Sequence, residues 1–263
     1  MNLKEKINKI RNSKDDIVKH VFSDRIINRI FLEVCSLCQY GCKFCTHEEM
    51  KKIYKGYSLT LEELDRFLYY TKKSRYYLRE VCLHGPGEPT LWEHLNEGIK
   101  ILYDSDVVGG ISIVSNGVSI ENIKEETVEY MYKIHISDYP CSKENERLIS
   151  LQKRFPEKIS INDRKIFKEF LDRAHLGTIP CECICHFPAL IGDKVFFCGG
   201  GAFSAAALKG VSIFDCHEVY SYIGENYLKD FEQCDIRNYD LCQYCSYNKS
   251  IRKHLKEHKH KMI

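Results

Sequence analysis

The stretch Cys38-Gln39-Tyr40-Gly41-Cys42-Lys43-Phe44-Cys45 places three cysteines within eight residues, in the spacing C-x3-C-x2-C. The apolar segment 29–34 precedes it and predicts a strand that leads into this loop. Buried cysteines usually pack singly as small apolar side chains, so packing alone does not account for three so close together. Three thiolates on one loop are typical of iron–sulfur ligation and would leave one iron of a [4Fe–4S] cluster open.

Zinc is the main alternative for this loop, since Cys35 and Cys38 form one C-x2-C pair and Cys42 and Cys45 form another. Zinc-binding pairs, however, are usually separated by about 12–20 residues, whereas three residues separate these two pairs. A disulfide or inert thiols are the remaining alternatives. The spacing therefore favours the iron–sulfur cluster.

Composition limits the class of protein. The chain has 263 residues, 44% of them hydrophobic, and a formal net charge of +2. This charge gives no reason to expect nucleic-acid binding, and no apolar run is long enough to predict a membrane span. The N-terminus lacks a secretory signal pattern, and the 14 cysteines are grouped rather than spread. We therefore expect a cytoplasmic protein whose cysteines bind metal clusters.

Strand and helix patterns alternate along the chain. Strands are expected at 29–35, 80–83, 110–114, 132–137 and 158–162, and helices at about 60–74, 91–104, 119–131, 143–155 and 163–175, with Ser58 or Thr60 as the first cap. This alternation predicts an α/β fold with a parallel sheet and outer helices. Five or six units predict a partial (β/α)6 TIM-type barrel, with the active site at the carboxyl ends of its strands.

A polar turn follows each of the second, third and fourth predicted strands. The second strand leads into His84-Gly85-Pro86-Gly87-Glu88-Pro89, the third into Ser115-Asn116-Gly117, and the fourth ends at Ser137-Asp138. Each is an ordinary turn sequence when taken alone. After the fifth strand, Asp163 could simply cap a helix, while Arg164 could reach an anionic or hydroxylated substrate as a catalytic-site residue.

The cluster loop and these turns together resemble the radical S-adenosylmethionine (radical SAM) family, with Pro86 in place of the first glycine of the family's G-G-E-P turn. The resemblance implies that a [4Fe–4S] cluster on Cys38, Cys42 and Cys45 binds SAM through its open iron. It further implies reductive cleavage of SAM to a 5′-deoxyadenosyl radical that removes a substrate hydrogen. The residues implied to seat SAM are Gly87, Glu88, Asn116 and Ser137.

A second group of cysteines begins at Cys181-Glu182-Cys183-Ile184-Cys185 and is followed by a hairpin pattern that turns at Gly192-Asp193. This segment resembles the twitch or SPASM extension of radical SAM enzymes, which holds an auxiliary iron–sulfur cluster. Structural zinc is the alternative, since four cysteines also suit zinc. The first ligand is ambiguous among Cys181, Cys183 and Cys185, and the other expected ligands are Cys198, Cys242 and Cys245.

These patterns divide the chain into four segments. They are a helical lead-in at 1–28, a radical SAM core at 29–178, a small cysteine-rich hairpin and helix extension at 179–248, and a basic tail at 249–263. The short chain with one auxiliary cluster resembles radical SAM enzymes that oxidise an alcohol on a sugar or aminocyclitol. The alternatives are an enzyme that modifies peptide or protein side chains, and a non-catalytic zinc-binding or electron-transfer module. The resemblance also implies a flavodoxin or ferredoxin as electron donor.

Overall fold

The structure is a computed structural model that describes residues 25–41, 56–85, 87–137, 139, 144–162, 188–198, 205–206, 209–225, 227 and 241. Its strands are β1 (Ile26–Ile27), β2 (Ile30–Glu33), β3 (Tyr77–Leu78), β4 (Val81–His84), β5 (Ile111–Ser115), β6 (Lys133–Ser137), β7 (Ile159–Asn162), β8 (Ala189–Ile191), β9 (Lys194–Phe196) and β10 (Tyr220–Tyr222). Its α-helices are α1 (Leu61–Lys73), α2 (Leu95–Asp104), α3 (Glu125–Tyr130) and α4 (Glu146–Arg154).

A mixed parallel and antiparallel sheet forms the centre of this α/β fold. Its eight strands lie in the order β10-β9-β8-β2-β4-β5-β6-β7, and the run from β8 to β7 is parallel throughout. The five strands predicted from the sequence are therefore confirmed, with β2 as the second strand of the run. Within the described residues the sheet does not close into a barrel, because β7 and β10 end the strand order.

The helices agree with their predicted positions, with two local differences. Thr60 caps α1 through a capping box with Glu63, which confirms one of the two expected caps. A 3-10 turn at Pro89–Leu91 precedes α2, so the α-helix begins later than residue 91. The helix expected at 119–131 is divided into a 3-10 turn (Ile120–Asn122) and α3, because the buried Ile123 between them is extended.

The hairpin expected around Gly192 is present. Gly192 has φ +55°, a conformation that glycine adopts at little cost, and it joins β8 to the antiparallel β9. The sequence did not predict that β8 pairs with β2 in parallel, so that the hairpin continues the main sheet. A second apolar cluster, which includes Phe196 and Tyr220, packs beside this part of the sheet.

The two faces of the parallel strands differ in chemistry. Ile30, Leu32 and Leu83 belong to a fully buried cluster that also contains Phe67 of α1 and Ile99 of α2. Successive side chains on a strand point to opposite faces, so the other face carries the residues in between. We call that opposite face the inner face. Its residues include many polar ones, and it is therefore the face on which a polar ligand could lie.

The amino-terminal part of the described chain is extended. Ile26–Ile27 forms β1, which pairs in parallel with β3, so the end of the segment expected to be helical forms a strand. Residues 1–24 and the helix expected at 163–175 lie outside the described residues. Among the helices that are described, none has the length and apolar character needed to cross a membrane.

Candidate active site

The turn after β4 lies directly against the start of the cysteine loop. The Glu88 backbone N–H donates to the Leu37 carbonyl at 2.6 Å. A Cβ atom on Gly87 would lie 1.9 Å from the Cys35 carbonyl oxygen, closer than real side chains approach. Glycine is therefore required at this position because the two backbones are in contact.

Glu88 joins the turn after β4 to the turn after β5. Its Oε1 accepts hydrogen bonds from the Thr90 backbone N–H at 3.1 Å and the Thr90 hydroxyl at 2.7 Å. Its Oε2 accepts from the Asn116 backbone N–H at 2.7 Å. The side chain is buried, and three donors to one carboxylate compensate for its removal from water. Glu88 thus fixes the position of Asn116.

The Asn116 side chain reaches the first cysteine of the loop. Its Nδ2 donates to Gln39 Oε1 at 3.1 Å and lies 3.9 Å from Cys38 Sγ. Its Oδ1 accepts from the Val118 backbone N–H at 2.9 Å, which fixes the orientation of the amide. Gln39 in turn donates to Ser119 Oγ at 2.7 Å. Two sites that are 78 residues apart in sequence are therefore adjacent in the fold.

Ser137, the last residue of β6, is also buried at this end of the sheet. The Tyr139 backbone N–H donates to the Ser137 carbonyl at 2.9 Å, and the Tyr139 ring lies 5.0 Å from the ring of Tyr40. Since Tyr40 belongs to the cysteine loop, three strand-end turns meet that loop. The structure thus brings together Cys38, Gly87, Glu88, Asn116 and the segment after Ser137.

The described cysteines fall into two groups. Cys35 and Cys82 are buried, and burial raises the pKa of each thiol to about 12, so both are packed protonated thiols. Cys38, Cys198 and Cys216 are partly exposed. The other expected site residues lie outside the described residues, namely Cys42, Cys45, Arg164, Cys181, Cys183, Cys185, Cys242 and Cys245.

A row of polar side chains across the inner face was not anticipated. Glu33 pairs with His84, and His135 pairs with Val114 on one side and Ser160 on the other, so these residues lie at one level of the sheet. His135 Nδ1 lies 2.9 Å from Ser160 Oγ, and burial lowers the pKa of His135. Regular alternation of polar and apolar residues within the strands is the sequence signal that could have revealed this row.

An ion pair lies on the same face, near the amino ends of β2 and β4. The Arg29 guanidinium contacts Glu80 Oε2 at 2.7 Å and 2.9 Å, while the other carboxylate oxygen accepts from Ser112 Oγ. Glu80 therefore has its cation and its hydrogen bonds within the protein. The inner face thus carries an ion pair near the amino ends of its strands and a polar row near their carboxyl ends.

Comparisons with known proteins agree with this arrangement. Residues 32–142 match the family model of the Radical SAM superfamily, and no curated protein sequence matches the chain. The fold is similar to a crystal structure of BtrN in an open conformation, with a TM-score of 0.56 and 15% identity, over 87% of this chain and 98% of that chain. It is also similar to BtrN in complex with AdoMet and 2-DOIA, with a TM-score of 0.54 and 16% identity, over 90% of this chain and 91% of that chain. Residues 32–142 of this chain thus match a radical SAM domain, and the fold of the chain is similar to that of BtrN.

Proposed function

We propose that this chain is a radical SAM enzyme that cleaves SAM at a [4Fe–4S] cluster held by Cys38, Cys42 and Cys45. The observation that carries the proposal is the meeting of Cys38 with the Gly87–Glu88 turn and Asn116, since these are the motifs through which the family holds its cofactors. The match of residues 32–142 to the family supports it independently.

The residues at this site fit such a cluster. Cys38 is partly exposed beside an amide donor, whereas the neighbouring Cys35 thiol is buried and donates to the Glu88 carbonyl at 3.2 Å. A protonated thiol already used in a hydrogen bond is a poor metal ligand, because metals bind the thiolate. This supports the set that excludes Cys35. When bound, the cluster and SAM supply a 5′-deoxyadenosyl radical that abstracts a hydrogen atom.

The protein's own contribution at the SAM site would be positioning. Gly87, Asn116 and Ser137 line the strand ends where SAM would lie, and we propose them as its contacts. Both carboxylate oxygens of Glu88 already accept hydrogen bonds from the protein, so we propose that Glu88 positions the two turns. This refines the expectation that Glu88 itself would help to seat SAM.

We propose an auxiliary cluster at Cys198, Cys242 and Cys245, with Cys181 or Cys185 as the fourth ligand. The support in the described residues is the hairpin β8–β9, which ends two residues before Cys198. Cys198 is partly exposed and packs beside the second apolar cluster. Because β8 pairs with both β2 and β9, Cys198 follows a strand two positions away from the one that leads into the Cys38 loop.

We further propose a polar small molecule as substrate, with oxidation of an alcohol on a sugar or aminocyclitol as the reaction. The polar row at Glu33, His84, His135 and Ser160 supports this, because such side chains exchange hydrogen bonds with hydroxyl groups. The likeness of the fold to BtrN, which was solved with AdoMet and 2-DOIA, is compatible with it. Arg164 and a flavodoxin or ferredoxin donor remain proposals from the sequence.

The test is to purify and reconstitute the chain without oxygen, count iron, and measure 5′-deoxyadenosine released from SAM under a flavodoxin or dithionite reductant. About eight irons per chain would correspond to two [4Fe–4S] clusters and about four to one. Replacing Cys38, Cys42 and Cys45 together by Ala should abolish cleavage and remove about four irons. The matched control, Cys82→Ala, should retain both SAM cleavage and the full iron content. Cleavage that survives the triple replacement would refute the proposal, and release of zinc would favour the non-catalytic alternative.

A further inference from the structure

Glu33 is the acidic residue of the polar row on the inner face. It ends β2, is 4% exposed, and its Oε2 is completely buried with no hydrogen-bond partner in the part of the chain that the structure describes. A Cβ atom on Gly85 would lie 1.3 Å from that oxygen, so the carboxyl group lies against the first residues of the 84–89 turn. Gly85 has φ +149°, and its missing side chain makes room for the carboxyl group.

The neighbours of Glu33 do not compensate for its charge. The described titratable groups that interact with it electrostatically are the Cys35 and Cys82 thiols and the Tyr57 phenol, and its partner in the sheet is His84. On the same face, Arg29 is paired with Glu80. Another inner-face cation, Lys133, donates to the Glu157 carbonyl instead.

A carboxylate in this situation is costly, because an ionised group removed from water needs donors or a counter-charge. Burial accordingly raises the pKa of Glu33 well above its usual range, so that the group is harder to ionise than an exposed glutamate. Glu88 shows the contrast, since it is equally buried but accepts three hydrogen bonds. Among the described residues, neither a cation nor a hydrogen-bond donor therefore stabilises the ionised form of Glu33.

We propose that Glu33 is the binding residue for a protonated amine of a small molecule held at the strand ends. The inference rests on the proposed function, which brings two such amines to this site: the amino group of SAM, and an amine on the substrate. The two share one chemistry, a primary ammonium group that can donate to a carboxylate. His84, beside Glu33, and His135 with Ser160 on the same row would then contact hydroxyl groups of a substrate.

Binding of this kind is balanced by release of a proton. The ammonium ion arrives already protonated, the Glu33 carboxylic acid loses its proton to the buffer, and the ion pair forms between carboxylate and ammonium. No electron is transferred and no covalent bond to the ligand forms. The release distinguishes ion pairing from a neutral hydrogen bond donated by Glu33, which would leave the proton in place.

The first arm measures SAM binding to anaerobically reconstituted protein by titration calorimetry in phosphate and in Tris buffer at pH 7. The variant is Glu33→Gln, which keeps the shape and the hydrogen-bonding capacity but removes the charge. If the amine is that of SAM, Glu33→Gln should bind roughly thirtyfold more weakly or worse. Wild-type binding should also release more protons than binding by the variant, because the variant has no carboxyl proton to lose. Glu80→Gln is the matched control, because Glu80 lies on the same face with its cation already in place, and it should leave the affinity for SAM unchanged.

The second arm measures the binding of glucosamine, N-acetylglucosamine and glucose, with and without SAM. If the amine belongs to the substrate, wild-type protein should prefer glucosamine to the other two sugars, and Glu33→Gln should lose the preference while binding SAM normally. Equal SAM affinity in both proteins together with no preference for glucosamine, including no binding of any sugar, would overturn the inference. If wild-type protein binds no SAM, the proposed function fails, and the second arm alone decides the role of Glu33.

Discussion

Glu88 offers a sharp test of how the strand-end turns are held together. Its Oε1 accepts from the Thr90 N–H and hydroxyl, and its Oε2 accepts from the Asn116 N–H. Glu88→Gln has nearly the same shape, but one of the two oxygens becomes an NH₂ group. Whichever way the amide turns, an NH₂ donor then faces a backbone N–H donor, of either Thr90 or Asn116.

The magnitude follows from the contacts that are lost. A hydrogen bond to a charged group contributes about 1.5–3 kcal/mol, and a buried donor left without an acceptor costs about 1–3 kcal/mol. Since the two figures describe overlapping parts of one loss, we expect the free energy of unfolding to fall by about 2 kcal/mol. For a domain of this size, such a change lowers the melting temperature by roughly 4–8 °C.

The assay is equilibrium denaturation in urea followed by circular dichroism, with thermal melting as the second measurement. The matched control is Glu93→Gln. Glu93 is largely exposed, and its Oε1 accepts from Ser58 Oγ at 3.3 Å, so its replacement should change stability by less than about 0.5 kcal/mol. If Glu88→Gln is as stable as this control, Glu88 does not fasten the two turns, and the reasoning is refuted.

Two further predictions concern packing and pH. Gly98→Ala in α2 would ordinarily favour the helix by about 1 kcal/mol, but its Cβ would lie 2.2 Å from the ring of Trp92. Because that ring is buried and held by a 2.7 Å hydrogen bond to the Leu59 carbonyl, we expect a net loss of about 1–3 kcal/mol on urea denaturation, and a more stable variant would contradict this. Burial lowers the pKa of His135, so the unfolded chain binds the proton more readily; stability should therefore fall as pH drops from about 7 through the unfolded-state value near 6.5 and level off below the folded-state pKa. The variant His135→Asn should show a smaller fall over that interval, and identical pH profiles would argue against the effect.

The strands could be predicted from the sequence because each is a short apolar run that ends in a polar turn. The position of these turns then follows from a general rule, since the carboxyl ends of parallel strands lie at one edge of the sheet. This is why the sequence alone predicts that Gly87, Asn116 and Ser137 lie near Cys38. The cap at Thr60 could be predicted equally well, because it depends on residues only three positions apart.

Pairings between distant segments could not be predicted in this way. Nothing in the hairpin around Gly192 specifies that β8 lies beside β2, since the choice depends on which edge of the sheet is open. The interruption of the helix at Ile123 has a similar origin, because burial of that side chain determines the local backbone. The double use of the Glu88 carboxylate also depends on two turns that are separate in the sequence.

The two buried carboxyl groups at this end of the sheet show how structural and ligand-directed acids can be distinguished. Glu33 and Glu88 are exposed to nearly the same extent, 4% and 3%. Burial therefore does not separate them, and neither does residue type. What separates them is the set of partners: Glu88 accepts three hydrogen bonds from the protein, whereas Glu33 Oε2 has none among the described residues. A carboxylate satisfied within the fold gains nothing further from a ligand, but one that lacks partners gains an entire ion pair. The affinity of this site for amines should therefore depend on Glu33 directly and on Glu88 only through the position of Asn116.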